Sequence, residues 1–199
     1  MVQVCGLGLW VVFYGSCFIK TYSESKKGIA VNRLGIGEKS LKTRMIEVFL
    51  IFFSYGTAAV QLLSVLFYTR WERLLEDGGN GGLPIGICLA GVAFAVVGTV
   101  FFLMAMGEMK ENWRAGIDEG QHLSLVSGGV YRISRNPAFV GVDLFYIGFC
   151  ILFSNGFMLL FAVLGIFTLH LQIKEEEKYM EKRHGDKYKE YQRKTRRYL

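Results

Sequence analysis

Long apolar runs alternate with charged segments along the whole chain. A helix that spans a membrane needs about 20 predominantly apolar residues. Five runs approach or exceed that length, namely residues 4–19, 45–69, 83–106, 137–153 and 157–173. Helices are expected in all five, because an unclosed strand leaves backbone groups without hydrogen bonds in lipid. The pattern predicts an all-α, polytopic membrane protein with about five transmembrane helices.

Composition supports a membrane protein over a soluble one. Of the 199 residues, 52% are hydrophobic, and the mean hydropathy is +0.31. These values exclude a disordered chain and disfavour an ordinary soluble domain. The four cysteines lie inside apolar runs and show no metal-ligand spacing. Buried thiols are therefore expected, and no metal site.

Basic residues are distributed unevenly between the polar segments. Residues 20–44 carry seven and residues 174–199 carry ten, whereas residues 70–82 carry two and the turn at 154–156 carries none. Cytoplasmic segments of membrane proteins collect Lys and Arg. This alternation predicts an N-terminus outside and a cytoplasmic C-terminus. It also favours cytoplasmic segments, not nucleic-acid binding, as the reason for the net charge of +6. The short turn makes runs four and five an antiparallel hairpin.

The first run has the length of the apolar part of a signal peptide. No basic residue precedes it, however, and no small-residue cleavage site follows it. We therefore expect a retained helix.

Three of the runs carry glycines seven residues apart, which is two helical turns, so each pair lies on one helix face. Close helix–helix packing is the expected role of these glycines. The pairs are Gly8 and Gly15, Gly91 and Gly98, and Gly141 and Gly148.

The chain divides into residues 1–106, with the first three helices, and residues 107–199, within one membrane domain overall. The loop at 107–136 carries apolar and aromatic residues throughout, which favours an ordered lid. The tail at 174–199 is expected to continue the fifth helix with a solvated, lipid-facing basic surface.

Polar side chains within the apolar runs are functional candidates by default, because burying them in lipid is costly. There are four: Glu47, Gln61, Asp143 and His170. Glu47 and Asp143 lie near cytoplasmic helix ends, where a local polar partner is the alternative to contact with a ligand.

Two segments carry the sharper signal. The first is LSLVSGGVYRISRNPAFVG at 123–141, and the second is EEKYMEKRHGDKYKEY at 176–191. In this order, on either side of a helical hairpin, they resemble the isoprenylcysteine carboxyl methyltransferase and phospholipid N-methyltransferase superfamily of integral membrane enzymes. The resemblance covers about residues 105–199.

The resemblance implies S-adenosylmethionine as methyl donor, bound at the cytoplasmic membrane boundary. Contacts carried over by position are Gly116, Leu123, Ser124, Leu125, Val126, Tyr131, Asn136, Pro137, Ala138, Phe139 and Glu176. Glu176 suits the cationic amino group of the donor. Leu125 and Val126 suit its adenine, and Tyr131 or Phe139 suits its sulfonium.

Two of these roles have structural alternatives. Asn136 precedes Pro137 at a helix start, so its side chain could act only as an N-cap. Glu176 and Glu177 could belong to a solvated helix face.

The sequence departs from the superfamily pattern at four positions. Asn136 stands where many members have His, Phe139 replaces Tyr, and His184 replaces Phe. Gln172 stands where carboxylate-methylating members have Arg, and its neutral amide forms no bidentate ion pair with a carboxylate. Lys174, Arg132 or Arg135 could substitute for that Arg. The catalytic group stays open among Gln172, Arg135 and Asp143.

The implied reaction is methyl transfer by direct displacement to a lipid or prenylated small molecule, and residues 1–105 are expected to shape the acceptor site. A carboxylate acceptor needs no base. An amine must first lose a proton, for which Glu47, Asp143 or His170 could serve. Alternatives are an NADPH-dependent reductase of the sterol-reductase type and a non-catalytic membrane protein. The sequence leaves the oligomeric state open.

Overall fold

The computed structural model describes residues 2–68, 83–117 and 124–199. Within these ranges the chain forms six α-helices and two short 3-10 turns, and no strand. The helices are α1 (Val2–Lys26), α2 (Leu41–Leu66), α3 (Ile85–Met109), α4 (Pro137–Leu152), α5 (Gly156–His184) and α6 (Asp186–Lys194). The all-α prediction is confirmed for the described residues.

Each of the five apolar runs overlaps with one of the helices α1 to α5. Four of them, α1, α2, α3 and α5, are long and apolar enough to cross a membrane. Helix α4 has 16 residues, which corresponds to about 24 Å. The chain is therefore a multi-pass membrane protein, and its described residues contain four candidate spans and one shorter apolar helix.

Helices α3 and α4 approach each other closely along their glycine faces. A Cβ atom on Gly98 would lie 2.6 Å from the carbonyl oxygen of Gly141, and one on Gly148 would lie 2.7 Å from that of Gly91. Neither backbone can yield to a side chain there. The packing role predicted for these two pairs is confirmed.

The same prediction is wrong for α1. A Cβ atom on Gly8 or Gly15 would meet nothing within 4 Å, so this glycine face has no neighbouring helix in the described protein. Helix α1 packs through its aromatic residues instead. The ring of Phe13 stacks on Phe145 of α4 at a centroid distance of 4.0 Å and also contacts Phe102 of α3. This packing makes α1 part of the folded body.

The break between α4 and α5 is stabilised by Asn155. Its side chain accepts a hydrogen bond from the Met158 amide at 2.9 Å, which caps α5. Its amide group also donates to Ser64 Oγ of α2 at 2.9 Å. Because only a short turn connects α4 to α5, the two helices form the predicted hairpin.

The tail differs from the predicted continuous helix. Helix α5 does continue to His184, but Gly185 then adopts a φ of +54° and the chain turns into α6. Tyr188 and Tyr191 of α6 are buried against Val130, Tyr131 and Ala105. The tail therefore packs on the loop that precedes α4 and is not simply a solvated, lipid-facing surface.

Candidate active site

A cavity of about 470 Å³ lies between the helices and the loops that follow α3. Nine predicted donor contacts line it: Gly116, Ser124, Leu125, Val126, Tyr131, Asn136, Ala138, Phe139 and Glu176. Leu123 lies outside the described residues. Pro137 is buried at the first turn of α4 and does not line the cavity. The loop and helix ends thus bring together residues that are up to 60 positions apart in sequence.

Glu176 is the carboxylate at the centre of this constellation. It lies on the last turns of α5, is partly buried, and lines the cavity. Gln172, one turn earlier, donates from Nε2 to Glu176 Oε1 at 2.9 Å. Gln172 is fully buried and does not line the cavity itself. Its amide therefore orients Glu176 and does not face a ligand.

Glu177 joins three separate segments of the chain. Its Oε1 accepts from Arg135 Nη2 at 2.8 Å and from the side-chain Nδ2 of Asn136 at 3.2 Å. Its Oε2 accepts from Arg197 Nη2 at 2.7 Å. The Glu177 side chain is 5% exposed. The alternative that Glu177 belongs to a solvated helix face is therefore wrong.

The side chains of Arg135 and Asn136 make further hydrogen bonds within the same network. Arg135 also donates to the Thr195 carbonyl at 2.7 Å, and Asn136 donates to the Arg197 carbonyl at 3.1 Å. Asn136 stands at the N-cap position of α4, but its side chain makes no capping hydrogen bond. Both residues border the cavity, and both tie the C-terminal residues to the start of α4.

Glu47 has the local partners that the sequence left open. Fully buried in α2, it accepts from Lys39 Nζ at 2.7 Å, from the Gly35 amide at 2.7 Å and from the Ile117 amide at 3.1 Å. The adjacent Gly116 has a φ of +89°, and a Cβ there would lie 2.9 Å from the Leu34 amide nitrogen. Glu47 thus connects the segment between α1 and α2 to the cavity wall at residues 116–117.

None of the three candidate bases lines the cavity: Glu47, Asp143 and His170 all lie outside it. The Asp143 Oδ1 atom is buried and has no hydrogen-bond partner among the described residues. His170 Nδ1 is hydrogen-bonded to the hydroxyl of Tyr198.

Phenol groups form the wall next to Glu176. Burial, together with the neighbouring Glu176, raises the pKa of Tyr131 above its usual range. Burial also raises the pKa of Tyr191 to about 12, and its hydroxyl donates to the Tyr131 carbonyl at 2.5 Å. These phenols are therefore neutral at physiological pH.

Residues of α1 and α2 also line the cavity, although their sequence carries no recognisable motif. They include Tyr14, Cys17, Ser54 and Tyr55. The only sequence signal for them is the placement of hydroxyl and thiol side chains within apolar runs. The expectation that residues 1–105 shape part of the site is consistent with this placement.

The fold and cavity define a class of protein, a multi-helix membrane protein with a cavity between its helices and the loops that follow α3. The family model for phospholipid methyltransferases matches residues 87–187. The chain belongs to this family, within the superfamily of integral membrane methyltransferases that the motifs indicated. A search of curated proteins finds no match. The matched segment runs from the first turn of α3 to the start of α6. Family membership implies membrane methyltransferase activity.

Proposed function

We propose that this protein transfers a methyl group from S-adenosylmethionine to a lipid-embedded acceptor at the cytoplasmic membrane face. The observation that carries the proposal is Glu176, a carboxylate on the cavity wall among eight other predicted donor contacts. The cavity volume of about 470 Å³ falls in the range of small-molecule sites.

The residues of the cavity suit the chemistry of this donor. Glu176 would pair with the ammonium group of its amino-acid part, in an orientation fixed by Gln172. Leu125 and Val126 would provide apolar walls for the adenine. The faces of Tyr131 and Phe139 would stabilise the cationic sulfonium.

The orientation follows from the charge distribution. The cavity is lined by the end of α5, the start of α4 and the loop after α3. Two segments that contribute to or adjoin the cavity, residues 20–44 and 174–199, are rich in Lys and Arg, which favours the cytoplasmic side. The N-terminus would then lie outside.

When bound, the donor supplies a methyl group already activated by its sulfonium. The protein itself would orient the two reactants and exclude water from between them. Tyr188 and Tyr191, which line the cavity from α6, would help to close it against the cytoplasm.

An uncharged nucleophile such as an amine free base fits the site better than a carboxylate. Gln172 replaces the Arg of carboxylate-methylating members and does not reach the cavity. The Arg135 guanidinium is already bound by Glu177 and the Thr195 carbonyl. Because none of Glu47, Asp143 and His170 lines the cavity, the amine would have to enter in its deprotonated form.

Calorimetry on the detergent-purified protein tests the donor site. Wild type should bind S-adenosylmethionine, and Glu176→Gln should weaken binding by at least about tenfold, because a charge-assisted hydrogen bond is lost. Glu175→Gln is the matched control: Glu175 is its neighbour on α5, pairs with Lys42 and does not line the cavity.

Equal donor affinity in the Glu176→Gln and Glu175→Gln variants would contradict the site assignment. Binding of NADPH in place of S-adenosylmethionine would favour a membrane reductase. If folded protein bound neither compound, the proposal of a methyltransferase would be wrong.

A further inference from the structure

The cavity extends well beyond the donor residues into the helix bundle. Along α4 it reaches from Ala138 to Tyr146, about 12 Å at 1.5 Å per residue, and along α5 from Met180 to Leu169, about 16 Å. We define the deep chamber as the part lined by Tyr14, Ser54, Ala58, Val142, Tyr146 and Leu169. Helices α1, α2, α4 and α5 all contribute to it.

Charge is confined to the other end of the cavity. The charged side chains among its described lining residues are Arg114, Arg135, Glu176 and Glu177. All four lie in the loop after α3, at the start of α4 or near the end of α5. The lining residues that the described parts of α1 and α2 contribute are all uncharged. A buried anion or cation without a partner is strongly unfavourable, so the deep chamber suits an uncharged group.

The deep chamber nevertheless carries a cluster of hydroxyl groups. The Tyr14 hydroxyl donates to Gln61 Oε1 at 2.8 Å. Tyr146 and Ser54 line the same chamber as Tyr14, and the Tyr146 ring and the Thr57 hydroxyl both lie beside Gly165 of α5. Tyr146 is 3% exposed, so these groups are sheltered from solvent. A pure hydrocarbon chain would offer no hydrogen-bond partner to the hydroxyl groups that line the chamber.

Counting protons shows that the cluster has unused hydrogen-bonding capacity. The protons of Tyr14 and Thr57 are taken by Gln61 and by the Phe161 carbonyl. Gln61, which is fully buried behind Tyr14, has an Nε2 group with no hydrogen-bond partner among the described residues. Buried polar groups in native proteins are normally satisfied, so an unsatisfied one needs an explanation. Gln61 does not line the cavity itself. A ligand acceptor that took the Tyr14 proton would leave the Tyr14 oxygen free to accept from the Gln61 amide, so the ligand would satisfy Gln61 through Tyr14.

We propose that the deep chamber binds the lipid part of the methyl acceptor. Tyr14, Ser54 and Tyr146 would there select an acceptor with an uncharged oxygen, such as a carbonyl, within its chain. The inference rests on the proposed function, since it takes the cavity as the place where donor and acceptor meet. Phe139 marks the donor end, and Tyr146 lies two turns deeper on α4. The selected oxygen therefore lies about 10 Å from the methylated atom.

Matched amphiphiles test this selection. The probes are hexadecylamine and isomeric keto derivatives with one carbonyl near the nitrogen, midway along the chain, or at its far end. Dissociation constants are obtained from the shift in unfolding temperature of the full-length protein in detergent, without donor. The midway ketone should bind about five- to tenfold tighter than the plain amine.

Tyr146→Phe should bring that ratio close to one, because it removes one hydroxyl and leaves the ring. Tyr14→Phe should reduce the ratio as well. Tyr22→Phe is the matched control, since Tyr22 is an exposed residue of α1 outside the cavity and should keep the wild-type preference. The unfolding temperature of each variant without ligand shows that it has folded.

Equal binding of the plain and keto amines by wild type would overturn the proposal, as would an undiminished preference in Tyr146→Phe. S-adenosylmethionine binding is measured on the same samples. Donor binding without any ketone preference refutes the deep chamber alone. Ketone preference without donor binding refutes the methyltransferase proposal and leaves the chamber as a lipid-binding site.

Discussion

At the scale of single residues, the site depends on carboxylates whose neighbours give them different tasks. Glu176 and Glu177 are adjacent on α5 and both line the cavity. Glu176 accepts a hydrogen bond from Gln172, whereas Glu177 is held by two guanidinium groups. The partners of each carboxylate, which the sequence does not reveal, make Glu176 the more available of the two to a ligand.

Glu177→Gln is predicted to destabilise the protein by about 3 kcal/mol, because it removes the buried partner of Arg135 and Arg197. Thermal unfolding in detergent measures the effect. Glu190→Gln is the control, since Glu190 pairs with Lys194 on the exposed face of α6. Similar unfolding temperatures for both variants would show that the Glu177 network contributes little to stability.

Glu47 is a further carboxylate whose role depends on its neighbours. Its ion pair with Lys39 is almost fully buried, at 0% and 4% side-chain exposure. The same carboxylate accepts the Ile117 amide beside Gly116. Glu47 is therefore a positioning residue for the donor side of the cavity.

Glu47→Gln should raise the dissociation constant for S-adenosylmethionine about tenfold or more, because an amide cannot accept the same set of hydrogen bonds. It should also lower the unfolding temperature. Glu38→Gln is the control, since Glu38 is an exposed residue of the segment between α1 and α2, and it should change neither quantity. Lower stability with unchanged donor affinity would limit Glu47 to a purely structural role.

At the scale of secondary-structure elements, close approach of backbones holds the described α3 and α4 together. Gly91 and Gly98 of α3 face Gly148 and Gly141 of α4, and the carbonyl groups of these four residues occupy the space that a methyl group would need. This geometry also positions the start of α4, where Asn136 and Phe139 border the cavity. In contrast, the glycine face of α1 contacts no other described element.

Gly98→Ala is predicted to destabilise the protein by about 1–3 kcal/mol, because the added methyl group would force α3 and α4 apart. Gly8→Ala provides the control within a helix, since it meets open space and alanine favours helix over glycine by about 1 kcal/mol. Unfolding temperatures should therefore fall for the first variant and stay level or rise for the second. The opposite order would contradict the packing described for α3 and α4.

At the scale of the whole molecule, the two halves of the chain build one site. The family match begins in α3 and covers most of the donor residues. The deep chamber also needs α1 and α2, whose residues lie outside that match. Acceptor specificity is thus predicted to depend on the N-terminal helices, while the residues predicted to contact the donor lie in the matched segment.

The sequence by itself determined the five apolar helices, the hairpin and a set of predicted donor contacts, nine of which line one cavity. Length and hydrophobicity are local properties that suffice to predict a membrane helix, and the motif residues lie within two short segments. Only the tertiary structure decided the roles of Glu47, Glu177, Gln172 and the α1 glycines. Those roles depend on contacts between residues up to 70 positions apart, such as Glu47 with Ile117, which no local pattern encodes.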